Sequence, residues 1–315
     1  MKIIIGYPLD LYPEFSAGLK KLSQHHRVLL KDYSYSWLLN QIKDTDVLVP
    51  SIKTIVDDAV LKRANRLQLI ATPTTGVDHI RISEKPDGLR IISLNDFKKQ
   101  IQPVSSTAEL GFALMLGLSR KIPSSAHDVV LNGRWDRNRY LGHELRGKVL
   151  GIAGMGRIGQ KIAAYGKAFG MEIIYWDKNR AGKWKRVSSF RALLNQSDYI
   201  VLSISYDQST HHLLNGDNIR SIKKKAFLIN ISRGKVVDEK WLCHALQAGI
   251  LAGAGTDVLE YELEDVLASP LLQYARKNKN ANILITPHIG GATLEAWKQV
   301  FALIFDFILK REVAS

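Results

Sequence analysis

The sequence predicts an α/β protein with two doubly wound parallel-sheet domains. Three observations carry that expectation. Short runs rich in isoleucine and valine recur along the 315 residues, with segments of helical pattern between them. The runs are apolar throughout instead of alternating, as in parallel strands covered on both faces. They also fall into two series, which points to two sheets and so to two domains.

The first series is "KIIIGY" (2–7), "RVLL" (27–30), "DVLVP" (46–50), "LQLIAT" (67–72) and "RIISL" (90–94). The second is "KVLGIAG" (148–154), "EIIYWD" (172–177), "YIVLSIS" (199–205), "AFLINIS" (226–232), "LAGAGTDV" (251–258) and "NILITP" (282–287). Each run is short, β-branched and bounded by turn or helix residues, so each is expected to be a strand. Between the series lies "VSSTAELGFALMLGLSRKIPSSAHDVVLNG". Its apolar residues recur at helical spacing and Pro123 interrupts them, which predicts a long helix and then a second one. The loop "RWDRNRYLGHELRG" follows. The last helix, "TLEAWKQVFALIFDFILKRE", is strongly apolar and must pack on something, so the end of the chain is expected to return to the first domain.

Composition narrows the function classes. Hydrophobic residues make up 46% and charged residues 23%, as in a soluble globular chain. Three isoleucines precede Gly6 and Pro8, too few for the apolar region of a signal peptide. The longest greasy stretch, "LGFALMLGL" (110–118), falls short of a membrane span. The single cysteine, Cys243 in "WLCHAL", can form neither an internal disulfide nor a cysteine metal cage. These features predict a reduced, cytoplasmic setting. The net charge of +14 is spread along the chain, and its densest cluster, "KWKR" (183–186), is short. A solvated basic surface that gathers small anions is the expectation, ahead of a nucleic-acid face. The adjacent pairs His25-His26 and His211-His212 cannot share one helix or strand face, and no zinc-type spacing occurs, so no metal is expected.

The strongest local signal is "KVLGIAGMGRIGQKIAAYGKAFG". A strand runs into Gly154, Gly156 and Gly159, and a helix opens through Arg157 and Ile158. Gly154 permits the tight turn, Gly156 lets a diphosphate approach the backbone, and Gly159 lets helix and strand pack closely. The helix N-terminus offers unpaired N–H groups to phosphate. Asp177 ends the next strand 18 residues after Gly159, close to the roughly 20 expected of a ribose-binding acid. Each domain is therefore expected to be Rossmann-like, and the second to bind a dinucleotide. Asp177 would repel a 2′-phosphate, which argues for NAD, although Lys178 and Arg180 follow it.

A nicotinamide cofactor needs a substrate that gives or takes hydride. Arg233 in "NISRGKVVDE", Glu262 in "TDVLEYELE" and His288 in "TPHIGG" lie at or just beyond the ends of later strands. Open parallel sheets build their sites there.

These blocks resemble the D-isomer-specific 2-hydroxyacid dehydrogenases, which have a similar glycine fingerprint, an "N-x-S-R-G-x-V-V-D" block, an acidic "D-V-x-E-x-E" block and a terminal "T-P-H-I-G/A-G". The match runs over most of the chain, is dense from Thr107 to Thr293, and looks closest to the phosphoglycerate-dehydrogenase-like branch. The resemblance implies that Arg233 grips the substrate carboxylate and 2-oxo oxygen, that His288 is the acid–base group, and that Glu262 hydrogen-bonds its ring. It implies further that Asp257 lies near the nicotinamide, with Thr107 and Ser205 as additional cofactor contacts. "TTGVD" (74–78) resembles a loop whose N–H groups meet the substrate carboxylate, which makes Thr75 and Gly76 substrate candidates.

The implied fold has a cleft between a substrate domain, residues 1–98 plus 290–315, and an NAD domain, residues 99–289. It implies a homodimer joined through the helices after Pro103. Two departures stand out: Leu110 follows "TAE" where many relatives have histidine, and Leu263 follows Glu262 where proline is frequent. Near "PSIKT", Lys53 stands where some phosphoglycerate enzymes have two arginines for a substrate phosphate, and the resemblance implies a short form, expected to do without the regulatory domain of the longer ones. The same family includes NAD(H)-sensing transcriptional corepressors, so a binding protein on this fold is the alternative reading.

Overall fold

The structure, a computed structural model, describes residues 1–179 and 182–312, with side chains described through Lys310; counts below refer to these residues. The chain divides into two units, Met1–Val104 with the segment from Leu294 onward, and Ser105–Thr293.

In the first unit the strands are β1 (Lys2–Ile5), β2 (Arg27–Leu30), β3 (Val47–Val49), β4 (Val56–Asp57), β5 (Leu69–Ala71), β6 (Ile80–Arg81) and β7 (Arg90–Ile92). The helices α1 (Ser16–Ser23), α2 (Tyr35–Gln41) and α3 (Asp58–Arg63) lie between them. Five strands form one parallel sheet in the order β2-β1-β3-β5-β7. Every residue of β1 is buried. Ile3 and Ile5 point to one face, where the C-terminal helix (Leu294–Glu312) lays Phe301, Ile304, Phe305 and Ile308 against them. That spacing of three and four residues makes one helical stripe. Ile4, Leu48 and Ile70 point to the opposite face and pack with Leu38 of α2 and Val60 of α3. A strand covered on both sides needs apolar residues at every position, which is why the runs read as continuous. The pair β4–β6 makes a separate two-residue ladder, Val56 with Ile80 and Asp57 with Arg81, too short and too polar to show as a strand pattern.

In the second unit α4 (Ser106–Ser119) and α5 (Ile122–Asn132) precede β8 (Val149–Ala153), α6 (Arg157–Ala168), β9 (Glu172–Trp176), β10 (Lys185–Arg186) and α7 (Phe190–Gln196). Then come β11 (Tyr199–Leu202), β12 (Ala226–Asn230), α8 (Glu239–Gln247), β13 (Leu251–Thr256), α9 (Pro270–Lys277) and β14 (Ile283–Ile285). All pair in parallel in the order β10-β9-β8-β11-β12-β13-β14. The order reverses between β8 and β11. Loops leaving the carboxyl ends of those two strands diverge, and such a switch point is where open sheets bind ligands. The break between α4 and α5 falls before Pro123, not at it: Lys121 is left-handed at φ 51° and Pro123 sits in the first turn of α5. A first-turn proline lacks an N–H the helix does not use, so it starts the helix. The basic "KWKR" contributes the edge strand β10. No helix among the described residues is long and apolar enough to cross a membrane.

Candidate active site

The glycine loop follows β8. Gly154 has φ +95°, and a Cβ there would lie 2.7 Å from the Ser203 carbonyl oxygen. A Cβ at Gly159 would lie 2.1 Å from the Gly154 carbonyl oxygen, so α6 meets the strand end backbone to backbone. Gly156, the N-cap of α6, differs: a Cβ there would meet no atom within 4 Å. The protein's own packing does not require a glycine at that position. The open space there leaves the main chain at the start of α6 accessible, and a dinucleotide diphosphate would fit it. Arg157 and Ile158 open α6, half-buried, and burial pulls the Arg157 guanidinium below its ordinary range.

Asp177 lies just beyond β9 and is tied to this loop. Its Oδ2 accepts from Met155 N at 2.7 Å and its Oδ1 from Asn179 N at 2.9 Å. The acid thus braces the turn between Gly154 and Gly156. Lys178 donates to Ser209 Oγ at 3.0 Å. Arg180 lies outside the described residues. Arg186 of β10 donates to the carbonyl of Asp177 at 2.6 Å. Ser203, which the sequence reading did not single out, donates to the carbonyl of Gly154 at 2.9 Å and links the ends of β8 and β11. Its neighbour Ser205 is exposed, and its carbonyl accepts from Thr210 Oγ1 at 3.0 Å.

The histidine loop follows β14. His288 has φ +55°, a left-handed conformation rare for residues other than glycine. Asp257, beyond β13, holds it there. Its carbonyl accepts from His288 N at 2.9 Å, its Oδ1 from Ile289 N at 2.9 Å and from Thr286 Oγ1 at 2.6 Å, and its Oδ2 from Gly290 N at 2.7 Å. Asp257 is buried, and burial raises its carboxyl above the ordinary range against the pull of these donors and of His288. Thr107 of α4 closes the loop from outside by donating to the carbonyl of Gly290 at 3.0 Å. Held in this way, His288 presents Nδ1 to Glu262 Oε1 at 2.9 Å. Glu262 Oε2 accepts from Leu259 N at 3.1 Å, so Glu262 closes its own turn while it holds the ring.

Arg233 caps the β12 end. Asn230 shapes that corner: its Nδ2 donates to the Arg233 carbonyl at 3.0 Å, and its Oδ1 accepts from Ser232 N at 3.1 Å and from Ser232 Oγ at 2.6 Å. Gly234 brings the corner onto the neighbouring turn, since a Cβ there would lie 2.0 Å from the Leu259 carbonyl carbon. The structure therefore sets the loop of Arg233 directly against the turn of Glu262.

The remaining candidates belong to the first unit. Thr74 Oγ1 donates to the Gly76 carbonyl at 2.7 Å, and Asn95 Nδ2 to the Thr75 carbonyl at 3.0 Å, so the "TTGVD" loop is stapled with Thr75 exposed. Lys53 is exposed and lies 3.8 Å from Asp32.

Comparison with known proteins identifies the family. Residues 112–290 match a family model described as the NAD binding domain of the D-isomer specific 2-hydroxyacid dehydrogenases, and residues 11–94 match the catalytic domain of the same family. Glyoxylate reductase of Pyrococcus horikoshii is 33% identical over 91% of this chain and 87% of its own length. D-3-phosphoglycerate dehydrogenase of Methanocaldococcus jannaschii is 35% identical over 87% of this chain and 51% of its own length. The crystal structure of D-lactate dehydrogenase from Aquifex aeolicus, complexed with NAD and lactic acid, superposes with a TM-score of 0.81 at 27% identity, over 100% of this chain and 96% of that one.

Proposed function

The chain belongs to the D-isomer-specific 2-hydroxyacid dehydrogenase family, NAD-dependent oxidoreductases, and on that premise we propose that it interconverts a small 2-oxo acid and its 2-hydroxy acid with His288 as the acid–base group. The observation that carries this reading is the 2.9 Å contact between His288 Nδ1 and Glu262 Oε1. Glu262 fixes the ring's orientation through Nδ1, which leaves Nε2 to serve the substrate. NAD, when bound, supplies or takes up the hydride at the substrate's C2 carbon. In reduction, His288 gives its Nε2 proton to the oxygen as the C=O bond opens; in oxidation it takes the proton back. Arg233 holds the carboxylate with its planar fork. Asp257 acts mainly through the loop it fixes and is also assigned a place near the nicotinamide. Gly154, Gly156, Arg157, Ile158, Gly159, Asp177, Thr107 and Ser205 are assigned to the cofactor, and Lys53, Thr75 and Gly76 to the substrate. By this reading Ser105–Thr293 is the NAD-binding unit and Met1–Val104, with the C-terminal segment, the substrate-binding one.

A substrate of glyoxylate size is proposed on two grounds: the glyoxylate reductase named above is similar over nearly the whole chain, and Lys53 alone replaces the pair of arginines a phosphate would call for. A homodimer is proposed through α5 and the loop after it. Val130 is 77%, Trp135 90% and Leu141 83% exposed, a density of large apolar side chains that water disfavours.

The test is NADH oxidation, followed by absorbance, with glyoxylate, pyruvate and 3-phosphohydroxypyruvate. Turnover of an unphosphorylated acid supports the proposal. Tight NADH binding with no turnover of any 2-oxo acid would favour the corepressor-like alternative.

A further inference from the structure

Glu239, the first residue of α8, is a carboxylate that this chemistry does not use, yet it is only 2% exposed. Burying a charge is costly unless donors surround it, and here they do. Its Oε1 accepts from Glu260 N at 2.9 Å. Its Oε2 accepts from Ser269 Oγ at 2.6 Å and from Leu271 N at 3.2 Å, at the start of α9. The Glu260 N–H belongs to the Leu259–Glu260 peptide, the one that lies against Gly234. On its other side that residue is gripped again, since His212 Nε2 lies 2.8 Å from Glu260 Oε1. A small cavity beside Glu239 is lined by Asn230, Gly234, Val258 and Leu271. Leu259 is itself buried in the apolar core with Leu242 and Leu271, so packing holds the leucine while these hydrogen bonds fix the peptide that follows it.

We propose that Glu239 is a positioning residue for the acid–base pair: its carboxylate holds the Leu259–Glu260 peptide against Gly234 and so sets the turn from which Glu262 reaches His288. The inference rests on the reading of His288 and Glu262 given above. It extends that site to a residue that touches neither substrate nor cofactor. A carboxamide cannot replace the carboxylate, because its NH₂ group would face a donor on one side or the other.

The experiment uses the full chain with Glu239→Gln, Glu239→Asp and Ser269→Ala, read by melting temperature, NADH affinity and the pH profile of kcat/KM for 2-oxo acid reduction. Glu239→Gln is expected to bind NADH normally and to lose kcat on the order of 10- to 100-fold, the effect of a slight misplacement of a catalytic group. Loosening Glu262 changes the hydrogen bond at the ring's Nδ1, so the pH profile of kcat/KM should change from that of the wild type. Glu239→Asp, a carboxylate again, should restore part of both. Ser269→Ala removes only the contact toward α9, so it should lower the melting temperature and leave the pH profile in place. In a Glu262→Gln background, Glu239→Gln should cost almost nothing more. A wild-type pH profile in Glu239→Gln, or a full additional loss in the Glu262→Gln background, overturns the proposal. Should Glu239→Gln not fold, Glu239→Asp against Ser269→Ala decides: equal pH profiles overturn it. If His288→Ala keeps its turnover, the acid–base reading itself has failed. If His288→Ala is inactive while Glu239→Gln keeps the wild-type profile, only the role of Glu239 has failed.

Discussion

His288 Nδ1 and Glu262 Oε1 lie 2.9 Å apart, although 26 residues separate them in the chain. Two loops from neighbouring strand ends make this contact. One carries the left-handed His288, pinned by Asp257; the other is the turn that Glu262 closes on Leu259 N. The contact leaves the ring its Nε2 for chemistry.

For that reason His288→Ala should lower kcat by about 10²- to 10⁴-fold, the usual contribution of a positioned general acid. The diphosphate loop is built elsewhere, by Gly154 to Gly159, so NADH should still bind. Stopped-flow turnover and fluorescence titration of NADH on one sample test both halves. Retained activity with an unchanged pH dependence would remove His288 from the mechanism.

How much of this was legible in the sequence depended on the range of the forces involved. β1 was readable because burial on two faces leaves no polar position in it. The glycine triple was readable because its spacing is local and each glycine meets a local demand. β4 and β6 were not, since a ladder of two residues with Asp57 opposite Arg81 has no apolar period. Pro123 was misread as a breaker because a proline looks the same at the start of a helix as at its interruption. At the site, Ser203 and Glu239 stayed invisible for a different reason. Each is defined by partners far along the chain, such as Gly154 for Ser203 and Ser269 for Glu239, and only the assembled sheet brings them together.

Arg233→Lys keeps the charge and loses the fork. If Arg233 serves a substrate carboxylate, kcat/KM should drop about 30- to 1000-fold, the loss of roughly 2–4 kcal/mol of transition-state stabilisation. Asn230 holds the corner's backbone while Arg233 Nη1 also donates to the Ser232 carbonyl at 2.9 Å, so a modest fall in melting temperature is expected beside the much larger loss of activity. A destabilised but fully active variant would instead make Arg233 a structural residue.

Asp177 has two tasks that substitution can separate. Its charge should repel a 2′-phosphate, while its oxygen accepts from Met155 N at 2.7 Å. Asp177→Asn drops the charge and can keep its oxygen toward Met155 N only by turning its NH₂ toward Asn179 N, so the brace is weakened on one side. It should raise kcat/KM with NADPH relative to NADH at a moderate loss of NADH affinity, smaller than that of Asp177→Ala. Asp177→Ala loses the brace as well, so NADH affinity should fall along with discrimination. An unmodified enzyme that already prefers NADPH would refute the ribose role.

Asp128 of α5 organises the surface assigned to the dimer. Asn132 Nδ2 donates to its Oδ1 at 2.6 Å, Arg134 Nη1 lies 3.0 Å from its Oδ2, and the Tyr140 hydroxyl donates to Oδ2 as well. These bonds tether both ends of the stretch from Arg134 to Tyr140, which includes Trp135, to the helix that carries Val130. The donors, Tyr140 first, pull the Asp128 carboxyl down from its ordinary 3.8 to about 2. The sign follows from linkage: an acid whose folded value is depressed contributes fully above its ordinary value and loses that contribution as pH falls toward the folded one. The tether should therefore hold at neutral pH and release between about 3.8 and about 2. Asp128→Asn, which removes the charge at every pH, should mimic that release under neutral conditions. Sedimentation velocity at pH 7 should then show a weaker dimer for Asp128→Asn, with both subunits still folded by circular dichroism. A variant as dimeric as the wild type would mean that the assembly, if it forms, does not use this face.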